Sequence, residues 1–251
     1  MAPISNNEIK KIKSLQQKKF RDEYSLFTVE GEKMVDEALG SSYRVENVYR
    51  KGEIGEEQMK RISALSSPSP VLAVVRKPDD IYVEDVSQVE DLIERGGLFL
   101  GLDTIRDPGN LGTILRIADW FGIDAVFAQK DTVDVFNPKV VQSTMGAVFR
   151  VRMHYVDLTE LAKLILSRNG KVYGTFLDGL NIYSRELDNG TEAPAMIVIG
   201  NESDGISDSM AGLVSDRLYI PPFPAGQPGS ESLNAAVATA LTVAEFRRRT
   251  Y

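Results

Sequence analysis

One arginine of the sequence lies on the polar side of a helix whose other side is apolar, where it could hold an anionic ligand. The stretch DTIRDPGNLGTILRIADWFG (103–122) combines turn residues with a helical pattern. We expect this helix to begin at Leu111 with Asn110 as its N-cap and to stop at Gly122. At about 100° per residue its apolar side chains share one stripe, and Arg116 lies roughly opposite that stripe. A guanidinium held there can bind a phosphate through two parallel hydrogen bonds, but an ordinary solvated charge would occupy the same position.

Two further polar loops follow apolar strands. GNESDGIS (200–207) comes after the most apolar strand, and IPPFPAGQPGSESLNAAVATA (220–240) leads into the last helix. Helix N-termini expose N–H groups that suit anionic or carbonyl atoms of a ligand. For any one loop alone the simpler interpretation is a helix cap, and the candidate caps are Asn110, Ser207 and either Asn234 or Ser232. Glu202 favours a ligand site more strongly, because a carboxylate beside Gly200 at a strand end has no capping or packing need.

Composition excludes several classes of site. The chain has no cysteine, which rules out disulfides, thiolate metal sites and cysteine nucleophiles. His154 is the one histidine, so a histidine-cluster metal site is impossible, and we interpret this residue as structural. The dinucleotide-binding glycine fingerprint, the P-loop and the nucleophile elbow of hydrolases are missing after every predicted strand. We therefore expect no metal at the site.

Apolar runs that alternate with helical patterns predict an α/β protein. Residues 97–251 contain short, near-continuous apolar runs, typical of strands buried on both faces of a parallel sheet. These runs are LFLGLD (98–103), DAVFA (124–128), KVYGTFL (171–177), AMIVIG (195–200) and RLYIP (217–221). Parallel sheets bind ligands at the carboxyl ends of their strands, which is where the three polar loops lie. Residues 1–80 are predicted to form a smaller mixed α/β domain, and residues 81–96 an acidic linker.

Charge is distributed unevenly along the chain, whose net charge is −7. Residues 1–80 carry 14 basic and 13 acidic side chains, whereas the remainder carries 15 and 23. The stretch KKIKSLQQKKFR (10–21) has six basic residues and no acidic one, so it could bind phosphates with Phe20 and Tyr24 stacking on bases. A solvated helix face is an equally good interpretation on charge alone, and Phe20 and Phe27 are expected in the core. The sequence has no run of about 18 apolar residues, and we expect a cytoplasmic protein.

Taken together and in order, the three loops resemble the motifs of the SPOUT superfamily, specifically its TrmH/SpoU branch of RNA ribose 2′-O-methyltransferases. NLGTILRIA (110–118) resembles motif one, VIGNESDGIS (198–207) motif two, and IPPFPAGQPGSESLNAAVATAL (220–241) motif three. The N-terminal IKSLQQKKFRDEYSLFTVEGEKMVDEAL (12–39) resembles the L30e-like substrate-binding domain of many members. Each motif alone is weak, but the ordered set covers nearly the whole chain.

The resemblance implies a fold, a cofactor and a set of site residues. The fold is a parallel α/β sheet whose C-terminal segment forms a trefoil knot, in a homodimer with the site near the subunit interface. S-adenosylmethionine is bound in the knotted loops, and the matching positions are Gly200, Ile220 and Leu233, with Leu177 and Asn201 beside them. The positions implied in catalysis are Arg116, Asn110, Glu202, Ser232 and Asn234.

The implied reaction is in-line attack of a ribose 2′-hydroxyl on the sulfonium methyl. Arg116 matches the arginine placed at the catalytic centre in this family. We favour a positioning role for it, with a phosphate or water accepting the proton, because a guanidinium does not normally lose one. Ribosomal RNA is the expected substrate before tRNA. Two alternatives stay open, namely an RNA-binding protein that has lost methyl transfer and a methyltransferase that acts on a base.

Overall fold

The computed structural model describes residues 4–224 and 231–248. Within them the chain divides into two compact units. The first unit consists of the residues up to Asp79 together with Asp134–Arg150, and the second of Asp80–Val133 together with the residues from Val151 onward. Each unit is therefore built from two separate segments of the chain.

Helices and strands alternate through both units. The chain begins with α1 (Asn6–Ser14), α2 (Lys18–Tyr24), β1 (Leu26–Glu30), α3 (Glu32–Leu39), β2 (Val45–Arg50), α4 (Lys51–Ile54), α5 (Glu56–Ile62) and β3 (Val71–Arg76). Next come a 3-10 turn (Val86–Val89), α6 (Glu90–Glu94), β4 (Leu98–Asp103), α7 (Pro108–Trp120) and β5 (Ala125–Ala128). The inserted part of the first unit holds α8 (Pro138–Thr144) and a 3-10 turn (Ala147–Phe149). The chain then forms β6 (Met153–Tyr155), α9 (Leu158–Ser167), β7 (Lys171–Asn181), a 3-10 turn (Ile182–Ser184), β8 (Ala195–Gly200), α10 (Asp208–Ala211), β9 (Asp216–Tyr219) and α11 (Ala235–Arg248).

The first unit is built on an antiparallel sheet in the order β1-β3-β2. Helices α1 and α5 cover it because each carries apolar residues at helical spacing, such as Ile9 with Ile12 and Met59 with Ile62, all buried. This confirms the predicted small α/β domain. Phe27 is fully buried, as expected, whereas Phe20 is only half-buried and stacks on Tyr24 with ring centroids 6.2 Å apart.

A buried ion pair joins the two segments of the first unit. Arg21 counts in the sequence as part of the basic stretch, yet only 2% of it is exposed. Its Nε and Nη2 donate to one carboxylate oxygen of Asp134 at 2.9 and 2.7 Å, and its Nη1 donates to the Leu15 carbonyl at 2.8 Å. The other oxygen of Asp134 accepts from the Phe136 amide at 3.0 Å. Because the cation is paired and fully hydrogen-bonded inside the unit, it does not contribute to a surface for phosphate binding.

The second unit confirms the predicted parallel sheet. Its strands lie in the order β6-β5-β4-β8-β7-β9, and every neighbouring pair is parallel. Strand β6 was not expected, because three residues at the sheet edge are too short to give an apolar run. His154 on β6 is buried, with Nδ1 2.7 Å from the Asp80 carbonyl and its ring stacked on Phe127, which fits the structural interpretation. The threading of the C-terminal segment into a knot stays a prediction.

Residues 81–96, which the sequence predicts to be a linker, fold as part of the second unit. Val83, Val89 and Ile93 are buried in its core cluster. Tyr82 forms an isolated parallel bridge with Tyr155. The acidic side chains that suggested a connector lie on the outer side, so the apolar residues between them can pack inward.

We expect Asp134→Ala to lower the free energy of unfolding by about 3–5 kcal/mol, because it leaves the Arg21 guanidinium buried without its counter-charge. The control is Lys163→Ala, which removes one partner of the exposed Lys163–Glu160 pair and should change stability far less. Chemical denaturation followed by circular dichroism measures both. Equal losses in the two variants would show that the buried pair does not hold the segments together.

Candidate active site

The helix of motif one begins earlier than the sequence predicts. Asp107, not Asn110, is the N-cap, and its carboxylate accepts from the Asn110 amide at 2.8 Å. Pro108 occupies the first helical position, where its fixed φ suits the turn and its missing N–H costs nothing. The prediction of Asn110 as the cap was therefore wrong. Because Asp107 caps α7, the side chain of Asn110 serves another purpose.

The Asn110 side chain forms part of a chain of hydrogen bonds that connects all three motifs. Asn234 is the N-cap of α11, since its Oδ1 accepts from the amides of Ala236 and Val237 at 3.0 and 3.3 Å. The Nδ2 of Asn234 donates to Oδ1 of Asn110 at 2.9 Å. The Nδ2 of Asn110 in turn donates to the carboxylate of Glu202. Three residues predicted from separate loops thus meet in one place.

The direction of each amide in this chain follows from its neighbour. The helix N–H groups require the oxygen of Asn234, so its NH₂ must face Asn110. Asn110 then presents its oxygen to Asn234 and its NH₂ to Glu202. Asn110 is half-buried, whereas Glu202 and Asn234 are exposed. The arrangement holds the Glu202 carboxylate near the surface, where it can accept a hydrogen bond from a ligand hydroxyl.

The motif-two loop is tightly closed behind this carboxylate. A Cβ on Gly200 would lie 2.3 Å from the carbonyl carbon of Gly205, so only glycine fits there. Asn201 and Gly205 exchange backbone hydrogen bonds of 2.9 Å, and Gly205 has a φ of +71°. The Asn201 side chain accepts from the Ser203 amide at 2.8 Å and donates to the Thr104 carbonyl at 2.8 Å. Asn201 is buried and therefore fixes the loop against the end of β4.

Sequence reasoning missed Asp103, the last residue of β4. Only 4% of it is exposed, and its carboxylate accepts from the Ser207 amide at 2.7 Å. Ser207 occupies the cap position of α10, but its hydroxyl makes no capping hydrogen bond. The sequence does contain a signal for Asp103, because an aspartate that ends an otherwise apolar strand needs a hydrogen-bond partner.

Arg116 lies on the solvent side of α7. The opposite stripe is buried, as predicted, at Leu111, Ile114, Leu115 and Ala118. Asn110, Thr113 and Arg116 follow at steps of three and so occupy adjoining positions along the helix surface. Within residues 4–224 and 231–248, Arg116 makes no hydrogen bond or ion pair. Its guanidinium is therefore available to an anion.

The residues predicted to hold the cofactor lie at the carboxyl edge of the sheet. Leu177, Gly200 and Ile220 lie on or directly after β7, β8 and β9, which end on the same side because they are parallel. Leu177 is 69% exposed and Leu233, before the Asn234 cap, is 45% exposed. Exposed leucines beside the main chain of strand ends offer apolar contact and backbone hydrogen bonds, which fit an adenosine-containing group.

Two remaining predictions concern motif three and metals. Ser232 is exposed and makes no side-chain hydrogen bond within the described ranges. Residues 225–230 of the same loop lie outside the described residues. Among the residues that the structure covers, no cluster of three or more metal-ligating side chains occurs, and no helix is long and apolar enough to cross a membrane.

We expect Asn234→Asp to retain most of the stability of the wild type, because aspartate caps helices as well as asparagine does. Asn234→Ala removes the cap and should lower the free energy of unfolding by about 1 kcal/mol. Thermal and chemical denaturation compare the two. Equal destabilisation would show that the amide donor to Asn110, rather than the cap, carries the stability.

Comparison with known proteins matches two parts of the chain to family models. Residues 97–244 match the model of the SpoU rRNA Methylase family, and residues 6–77 match the MRM3-like substrate binding domain. The chain is 32% identical over 257 residues to a Bacillus subtilis protein named 23S rRNA (guanosine(2553)-2'-O)-methyltransferase RlmP, covering 96% of each.

Two solved structures resemble this protein along nearly its whole length. A putative RNA methyltransferase of the TrmH family from Porphyromonas gingivalis has a TM-score of 0.86 and 38% identity, with 99% of this chain and 100% of that one covered. An rRNA methyltransferase from Sinorhizobium meliloti, solved with AdoMet bound, has a TM-score of 0.85 and 27% identity, with 100% and 98% covered. The family model spans more than half of the chain and the relatives match it almost end to end, so the resemblance is confirmed: this protein belongs to the SpoU rRNA methylase family.

Proposed function

We propose that this protein transfers a methyl group from S-adenosylmethionine to a ribose 2′-hydroxyl of ribosomal RNA. The observation that carries the proposal is the hydrogen-bond chain of Glu202, Asn110 and Asn234, which unites the three motifs at the start of the helix that carries Arg116. The printed name of the Bacillus relative supports ribose 2′-O chemistry on ribosomal RNA over tRNA. The AdoMet-bound relative supports the methyl donor.

The carboxyl edge of the sheet would hold the cofactor. Backbone groups of Gly200, Ile220 and Leu233 would bind it, while Leu177 contacts its apolar surface and Asn201 keeps the loop closed. When bound, S-adenosylmethionine supplies the electrophilic methyl group. The protein's task is then to place the ribose hydroxyl in line and to help it lose its proton.

Three side chains, Arg116, Glu202 and Ser232, would contact the nucleotide directly. Arg116 grips the phosphate next to the target ribose through its planar fork. Glu202 accepts a hydrogen bond from the ribose, since Asn110 already holds the carboxylate in place. Ser232 lies two residues before Asn234 and would donate to the same nucleotide. The proton passes to a phosphate oxygen or to water, because the guanidinium stays charged.

The first unit would recognise the RNA. Lys11 and Lys19 are exposed, and their Nζ atoms lie 5.1 and 5.7 Å from the ring centroids of Tyr24 and Phe20. These two rings stack on each other and are half-buried. Cations beside stacked rings suit single-stranded nucleotides, which offer both phosphate and base.

The second unit also offers a surface for a homodimer. Helices α7 and α11 pack together, and both carry exposed apolar residues. Trp120 is 85% exposed, Val237 48% and Leu241 39%. Large apolar side chains in solvent are typical of a contact surface, so we place a second copy of this chain there. We place the protein in the cytoplasm, with its ribosomal substrate.

We expect Arg116→Ala to lower methyl transfer by about a hundredfold or more at unchanged S-adenosylmethionine affinity, because the side chain positions RNA and not the cofactor. Arg152→Ala, at an exposed arginine before β6 and so at the amino edge of the sheet, is the matched control and should keep its activity. The assay follows the labelled methyl group into ribosomal RNA, which is then digested to nucleosides.

The nucleoside product separates the candidate functions. A 2′-O-methyl nucleoside supports the proposal, and a methylated base points to the base-modifying alternative. No transfer together with no cofactor binding by calorimetry would identify an RNA-binding protein that has lost catalysis. Full activity of Arg116→Ala would remove the arginine from the mechanism.

We expect Lys11→Glu combined with Lys19→Glu to weaken RNA affinity by at least about tenfold and to reduce its salt dependence, since phosphate contacts are lost. Lys163→Glu, in the second unit, is the control. Point variants are preferable to removing residues 1–79, because the Asp134–Arg150 segment would lose the rest of its unit. Unchanged affinity and salt slope would place RNA recognition elsewhere.

A further inference from the structure

Strand β7 departs from its partner β9 near its carboxyl end. Thr175 and Leu180 both pair with Leu218, so the four residues between them leave the ladder. We call residues 176–179 the β7 bulge. Bulges re-aim side chains and are common beside functional sites. This one lies at the carboxyl edge of the sheet, where the cofactor is proposed to bind.

Arg217 on β9 contacts two residues of the β7 bulge, Phe176 and Asp178, which lie on either side of Leu177. Its guanidinium carbon lies 3.5 Å from the ring centroid of Phe176, and its Nη2 donates to the Asp178 carboxylate at 2.5 Å. Phe176 packs against the core of the second unit, so the stacked cation has a fixed support. The hydrogen bond from Arg217 lowers the pKa of the Asp178 carboxyl below its ordinary value.

Leu177, which lies between Phe176 and Asp178, is exposed to solvent. Leu177 is 69% exposed, although its neighbour Phe176 is half-buried against the core. Arg217 contacts the residue before Leu177 and the residue after it, so the backbone on both sides of Leu177 is held. A leucine kept in solvent adds nothing to the core, and under the proposed function this one contacts the cofactor.

We propose that Arg217 is a positioning residue for S-adenosylmethionine. By holding Phe176 and Asp178 it keeps the Leu177 side chain against the apolar surface of the cofactor. Arg217 acts through Leu177 and does not touch the cofactor itself. The inference rests on the proposed function, and its physical basis is preorganisation, because a contact that is already ordered loses less entropy on binding.

A matched pair of variants tests the proposal. Arg217→Met should weaken S-adenosylmethionine binding by about tenfold, because the β7 bulge then has to become ordered when the cofactor binds. Arg185→Met is the control, because Arg185 has the same 42% side-chain exposure but pairs with Asp216 and makes no hydrogen bond or ion pair to the β7 bulge within the described residues. Calorimetry on the full chain gives both dissociation constants. At saturating cofactor, kcat of Arg217→Met should stay near the wild-type value while KM for the cofactor rises.

A double variant asks whether Arg217 acts through Leu177. Leu177→Ala removes the side chain that the arginine positions, so adding Arg217→Met to it should weaken binding little further. Fully additive losses would overturn the proposal, as would equal losses in Arg217→Met and Arg185→Met. If the wild-type protein binds no S-adenosylmethionine, the proposed function itself fails. If the wild type binds and Arg217→Met binds equally well, only the positioning role is lost.

Discussion

The N-terminus of α11 sets the orientation on which the candidate site depends. Its exposed amides require an acceptor, and the oxygen of Asn234 supplies it. Because an amide that accepts on one side must donate on the other, Asn110 is turned to receive that donor and to hold Glu202. The Asn234 side chain, besides capping the helix, also orients the Asn110 amide and through it the Glu202 carboxylate. The geometry of the candidate site thus rests on a main-chain requirement.

The sheet supplies the rigid base for these loops. Gly200 allows the motif-two loop to close on itself, and buried Asp103 ties its far end to β4 through the Ser207 amide. Parallel strands bring their carboxyl ends to one edge, so loops far apart in the sequence become neighbours. The β7 bulge adds a further element at that edge, since Arg217 holds its two sides. Each loop is therefore fixed by contacts behind the proposed ligand surface, and the ligand-facing side chains need no packing role.

The first unit draws residues from both parts of the chain that match family models. The Asp134–Arg150 segment falls within the residues matched to the methylase family, yet it packs with the N-terminal residues. Its buried charge pair with Arg21 is expensive to break, because a lone guanidinium in the core has no solvent to replace its partner. Arg21 therefore serves folding, whereas the lysines near it in the sequence stay exposed. A basic stretch in the sequence thus contains residues of two different roles.

The sequence by itself determined the elements and the family. Apolar runs of four to six residues marked β4, β5, β8 and β9, helical spacing marked the buried stripe of α7, and three ordered motifs identified the family. Only the tertiary structure decided the cap at Asp107, the edge strand β6, the packing of residues 81–96 and the burial of Arg21. It also decided the partners of Asn110, which lie 92 and 124 residues away. Periodicity reports only on neighbours within a few turns of chain, whereas the direction of a side chain depends on whichever distant groups the fold places beside it.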